Sequence, residues 1–426
     1  MKKYLILAAT AALALASCAK VDTFRTTTEE NAPLSFGVYA GKAANTKAVS
    51  GTDYSTVTNI ILGDASKSGF GVFGYYTDDA TYDSSTKANF MYNQQVKGNG
   101  NGTAAATAWT YSPVKYWPNE HGASAVSTDT DKLTFLAYAP FVANNAIATD
   151  KGVSITDKTG SAAADEGIIA MTANNVAGDA TLTFKVPASA EEQIDLLYGV
   201  LGATYVDVEG NTIGTVGDPM ENLTKQKTNG QVSILFKHAL AKIAIDIKEV
   251  VDALAPTTSV TPVSDGTKVV VKSVKLKGNN IGTQGKLNLY TGAWSDFTRA
   301  AEFTVSPLPA AIAVNDAPDA YPSIAGVDED GLDKTIDLML IPATSEITGV
   351  EIVYYVCTED NQLDGGVSVV ENKISKDFAT PVAIAKGKQY GLNILLGLTS
   401  IELDATVEDW DTTSGSTNVD LPKNVQ

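Results

Sequence analysis

Across 426 residues the chain carries 31 Lys and Arg against 49 Asp and Glu, a formal net charge of −18, and 44% of its residues are apolar. That length gives room for two domains with real cores, and that charge argues against nucleic acid or an anionic membrane face as partner. Two cysteines and two histidines leave little material for disulfides, a zinc site or nucleophilic catalysis.

Met1-Lys2-Lys3, the apolar run Tyr4 to Leu15 and the small pair Ala16-Ser17 read as a secretory leader. The run is too short to cross a bilayer core of about 30 Å as a helix. Cys18 stands directly after the small pair, where bacterial lipoprotein processing needs its thiol to take diacylglycerol. The chain is expected to lose residues 1–17 and to be tethered to outer-membrane lipid through Cys18. Residues 18–32 are polar and are expected to form a flexible stalk.

Leu34, Phe36 and Val38 alternate with Ser35 and Gly37, which predicts a first strand. Residues 41–52 are small and polar, hence an exposed loop. From there, short β-branched and aromatic runs alternate with Gly, Asn, Asp, Ser and Thr clusters, the pattern of an all-β sandwich protein. Further loops are expected at 97–107, 119–131, 143–165, 209–230, 253–267 and 311–334. Trp109, Tyr111, Tyr116 and Trp117 crowd the stretch 109–118, either as core and turn residues or as an exposed platform for sugars. Around 187–199, Pro187 and the pair Glu191-Glu192 open a short helix, or Ile194 to Tyr198 form a strand.

Val232, Ile234, Phe236, His238 and Leu240 share one parity, and Ile243, Ile245 and Ile247 share the other. The apolar face therefore changes sides near Ala241-Lys242, through a β-bulge or a strand crossing between sheets. His238 lies on the apolar parity and is expected in the core, satisfied by a backbone carbonyl. Cys357, beside Tyr354, Tyr355 and Val356, is expected to fill a strand core. Leu392 to Leu398 and Ile401 to Val407 repeat the parity change and predict two strands joined by a turn or bend. A domain boundary is placed at 201–230, between sandwiches at 33–200 and 231–410.

No HExxH, CxxC, G-x-S-x-G, Walker or Rossmann pattern occurs, and His121 sits alone in a Gly/Ser-rich loop. The acidic run 328–333 could attract calcium, but its glycine is misplaced for an EF-hand loop. Neither an enzyme nor a cofactor or metal is expected, although carboxylate pairs for glycoside hydrolysis need only spatial proximity.

Several stretches in order resemble the fimbrillin family of Bacteroidales, the subunits of type V pili. They are the lipobox ending at Cys18, then 34–47, 109–118, 133–141, 193–199, 232–243, 338–343 and 388–410. The resemblance implies two tandem Greek-key (transthyretin-like) β-sandwiches and a means of assembly. Subunits reach the cell surface as lipoproteins, and a trypsin-like surface protease cuts after the first strand. The lipidated N-terminus leaves with that strand, here 33–47, and an extended segment of a neighbouring subunit fills the open groove. In this chain Lys47, followed by Ala48, stands in the small-residue loop where proteolysis concentrates, with Lys42 and Arg25 as rivals. Removing the strand would vacate the sites of Leu34, Phe36 and Val38. The tail 411–426 offers Val419, Leu421 and Val425 on one parity as replacements, with Lys423 on the same parity and Pro422 within. The partners so implied are other pilin subunits, in homopolymer and with accessory subunits, the protease, membrane lipid before cleavage, and an unidentified surface ligand. The mature form would lie in the fimbrium and serve adhesion. A tip or anchor subunit of the same pilus, or a surface glycan-binding lipoprotein, are the alternatives.

Overall fold

The computed structural model describes residues 32–39, 69–100, 108–118, 131–143, 166–188, 193–206, 210–249, 267–305, 336–360, 362–364, 366–396, 401–409 and 417–418. Among them the chain is all-β apart from one helical turn. The first strands are β1 (Ser35–Val38), β2 (Phe70–Asp78), β3 (Met91–Gly98), β4 (Trp109–Thr110), β5 (Lys132–Ala139), β6 (Gly167–Met171) and β7 (Thr181–Lys185). Then come β8 (Leu197–Leu201), β9 (Tyr205–Val206), β10 (Thr212–Gly214), β11 (Met220–Leu223), the turn α1 (Lys225–Thr228) and β12 (Gln231–His238). The rest are β13 (Ala241–Glu249), β14 (Thr267–Asn288), β15 (Trp294–Val305), β16 (Ile336–Leu340), β17 (Glu346–Glu359), β18 (Val367–Ala383), β19 (Lys388–Leu396), β20 (Ile401–Asp409) and β21 (Thr417–Asn418).

One sheet runs β1-β12-β8-β5-β2-β3-β4, with β11 also paired to β5. Its central strands are apolar at almost every position because both faces are buried. In β5, Leu133, Phe135 and Ala137 enter one core, while Leu136 and Tyr138 enter another. β2 divides likewise, with Phe70 and Val72 on one side and Phe73 and Tyr75 on the other. Such a run without alternation is what two-sided burial requires. Gly71 shares the face of Phe73 and Tyr75, where the Tyr138 ring occupies the space a Cβ would need.

Two further sheets, β18-β17-β14-β7-β6 with β15 on β14, and β16-β13-β19-β20-β21, share the second core. Ile243, Ile245 and Ile247 of β13 with Leu392 and Ile394 of β19 meet Val274 and Leu276 of β14 and Ile352 of β17 there. On the other face of β14, β17 and β18, Lys275 and Lys373 flank Glu351 at 3.3 and 2.9 Å. The Lys373 bond, then Lys275, holds the Glu351 carboxyl below the usual carboxylate range.

Strand pairing crosses the expected division at 201–230 in both directions. β12, expected to open the second sandwich, pairs antiparallel with β8 in the first sheet. β6 and β7, expected within the first sandwich, join the sheet of β14 through β7. The stretch 209–230, expected to be a loop, holds β10, β11 and α1, because Met220 and Leu223 are apolar enough to bury against β5.

The parity change after His238 is a crossing between sheets. β12 ends at His238, and β13 starts at Ala241 between β16 and β19. The backbone at the crossing stays satisfied: Ala239 N–H donates to Leu196 O, while its carbonyl accepts from Trp294 Nε1 at 2.7 Å. The C-terminal repeat resolves into β19 and β20, paired antiparallel from Lys388↔Asp409 to Leu396↔Ile401. In the ambiguous stretch near 194, the strand starts at Leu197.

His238 is buried as expected, and one partner found for it is a carboxylate. Its Nδ1 lies 2.9 Å from Asp195 Oδ1. The sequence hid this because the two residues are 43 positions apart.

Candidate assembly groove beneath the first strand

β1 lies at the end of the first sheet, parallel to β12, in register from Ser35↔Gln231 to Val38↔Ile234. The alternation of its sequence divides its backbone as well as its side chains. Ser35 N–H reaches Gly230 O at 3.4 Å, and Tyr39 N–H reaches Ile234 O at 2.7 Å. The residues whose side chains face inward turn their backbone the other way: Leu34 N–H donates to Lys115 O at 2.9 Å.

Inward, the strand acts as a core element. Leu34 is 2% exposed and Phe36 1%, while Val38 is half-buried against the same cluster. The Phe36 ring meets Phe135 edge-on at 5.5 Å between centroids, Phe70 at 6.3 Å and Tyr111 at 5.6 Å. Burying such a side chain contributes about 1.5–3 kcal/mol. Gly37 faces outward, where the Gln231 side chain covers it.

The second wall is the aromatic stretch 109–118. Pro33 bridges Tyr116 antiparallel, and Trp117 N–H donates to Ala32 O at 3.0 Å. Tyr111 donates its hydroxyl proton to Leu34 O at 2.7 Å. Burial pushes that phenol's pKa up, partly offset by Lys115, so it remains a neutral donor. Trp117, 4% exposed, packs on Phe135 and donates from Nε1 to Gly230 O at 2.9 Å. Trp109 tilts against Phe70, and Tyr116, 53% exposed, points to solvent. The four aromatics therefore do not line one open face, as a sugar platform would require.

Gly230 is the hinge of this arrangement. Its φ of 83° follows α1, and its N–H caps that turn on Lys225 O at 3.0 Å. The carbonyl it presents takes Trp117 Nε1 and both the N–H and Oγ of Ser35. Sequence reasoning singled out Leu34, Phe36 and Val38 but missed Gly230, which carried no signal beyond the Asn229-Gly230 turn pair.

Cys18, Lys47, Ala48, Val419, Leu421 and Val425, with Lys42, Arg25, His121 and the run 328–333, lie outside the described residues. Among the described residues no group of three or more His, Cys, Asp or Glu side chains could hold a metal.

Residues 46–410 match a family model described as fimbrillin-like, a span that begins after β1 and ends at Trp410. The fimbrium subunit Fim1C of Phocaeicola vulgatus is 25% identical over 302 residues, which is 70% of this chain and 61% of that relative. The chain thus matches less than two thirds of that relative's length. A fimbrial protein from Bacteroides vulgatus has the same fold, with TM-score 0.55 at 19% identity over 89% of this chain and 99% of that one. A putative cell adhesion protein from Bacteroides uniformis aligns at 16% identity over 89% of this chain and 98% of that one, with TM-score 0.41. Matched over far more than half its length, the chain belongs to the fimbrillin-like family.

Proposed function

We propose that this chain is a structural subunit of a fimbrium, exported as a lipoprotein through Cys18 and polymerised by exchange of its first strand. A surface protease of trypsin-like specificity cuts after Lys47, Ala48 becomes the mature N-terminus, and β1 leaves with the lipid. A neighbour's tail, carrying Val419, Leu421 and Val425, then occupies the groove. Homopolymer growth follows, with accessory subunits and adhesion as the setting.

One observation supports this above the others: β1 sits at a sheet edge yet supplies fully buried side chains at Leu34 and Phe36. Removing such a strand opens the β12 edge and the sites of those side chains at once, and an edge of that kind demands a replacement. An edge strand that contributed no core would leave nothing to refill.

The test is to mix trimmed protein with material truncated after Trp410. Filaments formed by the truncated form alone would remove the tail from the scheme. Mass mapping of surface filaments should find Ala48 first, and a start at Cys18 or Thr26 would contradict the cleavage step.

A further inference from the structure

Pro422 and Lys423 look like defects in a replacement strand, since one lacks an N–H and the other carries a charge on the apolar parity. The geometry of β1 turns both into a statement about direction. In β1, which runs parallel to β12, inward side chains go with backbone groups that face away from β12. Ser35 and Tyr39, facing outward, make the ladder bonds. Turning a strand end for end while keeping its side chains inward exchanges those edges. In an antiparallel strand the inward residues bond to β12, and the outward ones turn to the side of the 109–118 wall.

Pro422 has the opposite parity to Val419 and Leu421. In a tail parallel to β12 it takes the place of Gly37 or Tyr39. The second of these positions has an N–H bonded to Ile234 O at 2.7 Å, a bond proline cannot make. Antiparallel, Pro422 points its nitrogen away from the β12 ladder, toward the 109–118 wall, so its missing N–H breaks no bond to β12. Lys423 then selects among antiparallel registers. One register puts its ammonium in the site of Leu34 and another in that of Phe36, both almost fully buried. The one antiparallel register that fills both buried sites with apolar side chains places Leu421 in the site of Leu34, Val419 in that of Phe36 and Thr417 in that of Val38. Lys423 then falls at the half-buried position of Ala32, from which it can reach water.

We propose, resting on the reading that the tail fills this groove, that the incoming tail of a second copy of this chain runs antiparallel to β12, reversed relative to β1. Val419 enters the Phe36 site and Leu421 the Leu34 site, while Thr417 rather than Val425 takes the site of Val38. In the isolated chain Thr417 and Asn418 pair with Val407 and Thr406 of β20, so the tail leaves that two-residue contact on assembly.

Cysteine pairs read the direction. Reversed, Asn418 stands opposite Ser233, and Asp420 opposite Gln231. These are pairs without mutual hydrogen bonds, with Cα atoms about 4.5 Å apart, close enough for a disulfide. In the two parallel registers Asp420 stands beside Gln231 with Asn418 beyond β12, or Asp420 stands beside Ser233 and Asn418 beside Gln231. Trimmed protein carrying Asn418→Cys is mixed with copies carrying Ser233→Cys or Gln231→Cys, all in a Cys357→Ser background, and filaments are oxidised. Crosslinking of 418 to 233 is expected, with little to 231. Preferential crosslinking of 418 to 231, of Asp420→Cys to 233, or of Asp420→Cys to 231 with none from 418, would overturn the direction while keeping the tail in the groove. Intact filaments with no crosslink from either tail position would overturn the occupancy itself. Failure of the underlying reading shows separately, as polymerisation of the form truncated after Trp410.

Discussion

Phe36 and Phe135 meet at an interplanar angle of 89°, their centroids 5.5 Å apart, which places a terminal strand's side chain against the middle of the sheet. Phe36→Ala should therefore cost the uncut chain roughly 3–5 kcal/mol, the range for truncating a buried phenylalanine. Denaturant unfolding of the full chain would measure it. If β1 departs on assembly, the same change should leave finished filaments as stable as the parent's. Equal destabilisation of filaments would mean that β1 stays in place.

Tyr111 grips β1 from the side opposite β12, through the bond to Leu34 O. Tyr111→Phe keeps the ring packed on Phe36 and removes the hydroxyl's bonds to Leu34 O and to the Lys115 backbone, so global stability should fall by about 0.5–1.5 kcal/mol for each bond that counts. Amide exchange at Ser35–Val38 should quicken more than exchange in β5. Unchanged exchange in β1 would show that the parallel ladder alone holds the strand.

The alternation at 34–38 was legible because burial on one side of a strand imposes a period of two on the sequence. The crossing at Ala239-Leu240 was legible for the same reason, as a change of parity between Phe236 and Ile243. The partner of each strand was not. Pairing of β1 with β12 joins residues nearly 200 positions apart, and nothing local encodes a parallel neighbour. Trp117 and Tyr111 read only as an aromatic cluster, because their hydrogen bonds end on backbone carbonyls that every residue has. The boundary at 201–230 was set just before the strand at Val232, whereas β6 and β7 follow the edge that β14 offers them.

His238 and Asp195 are both buried, and their contact lies where the chain leaves the first sheet. Removing the carboxylate takes the Nδ1 partner from His238 in a medium that solvates it poorly, so Asp195→Ala should destabilise by about 1–3 kcal/mol. The double change Asp195→Leu with His238→Phe should recover much of that, since apolar packing of similar volume can match a buried polar pair. A double variant no more stable than Asp195→Ala would show that the pair serves packing that Leu and Phe do not reproduce.

Alkaline pH should weaken the fold through its tyrosines. The Tyr290 hydroxyl is pushed up to about 12, first by burial and then by its bond to the Glu221 carboxylate. Burial is also the leading cause of the raised values at Tyr75, Tyr82 and Tyr138. In the unfolded chain a tyrosine ionises near about 10. The folded state therefore holds these protons more tightly; the contribution of Tyr290 is complete below about pH 10 and lost as pH rises through about 12, and the other three are lost at higher pH still. Denaturation midpoints should stay level up to about pH 10 and then fall. Tyr290→Phe, which has no proton to lose, should make that fall shallower while lowering the plateau by the missing hydrogen bond. A Tyr290→Phe profile with the parent's alkaline slope would show that Glu221 leaves this hydroxyl no harder to ionise in the folded chain than in the unfolded one.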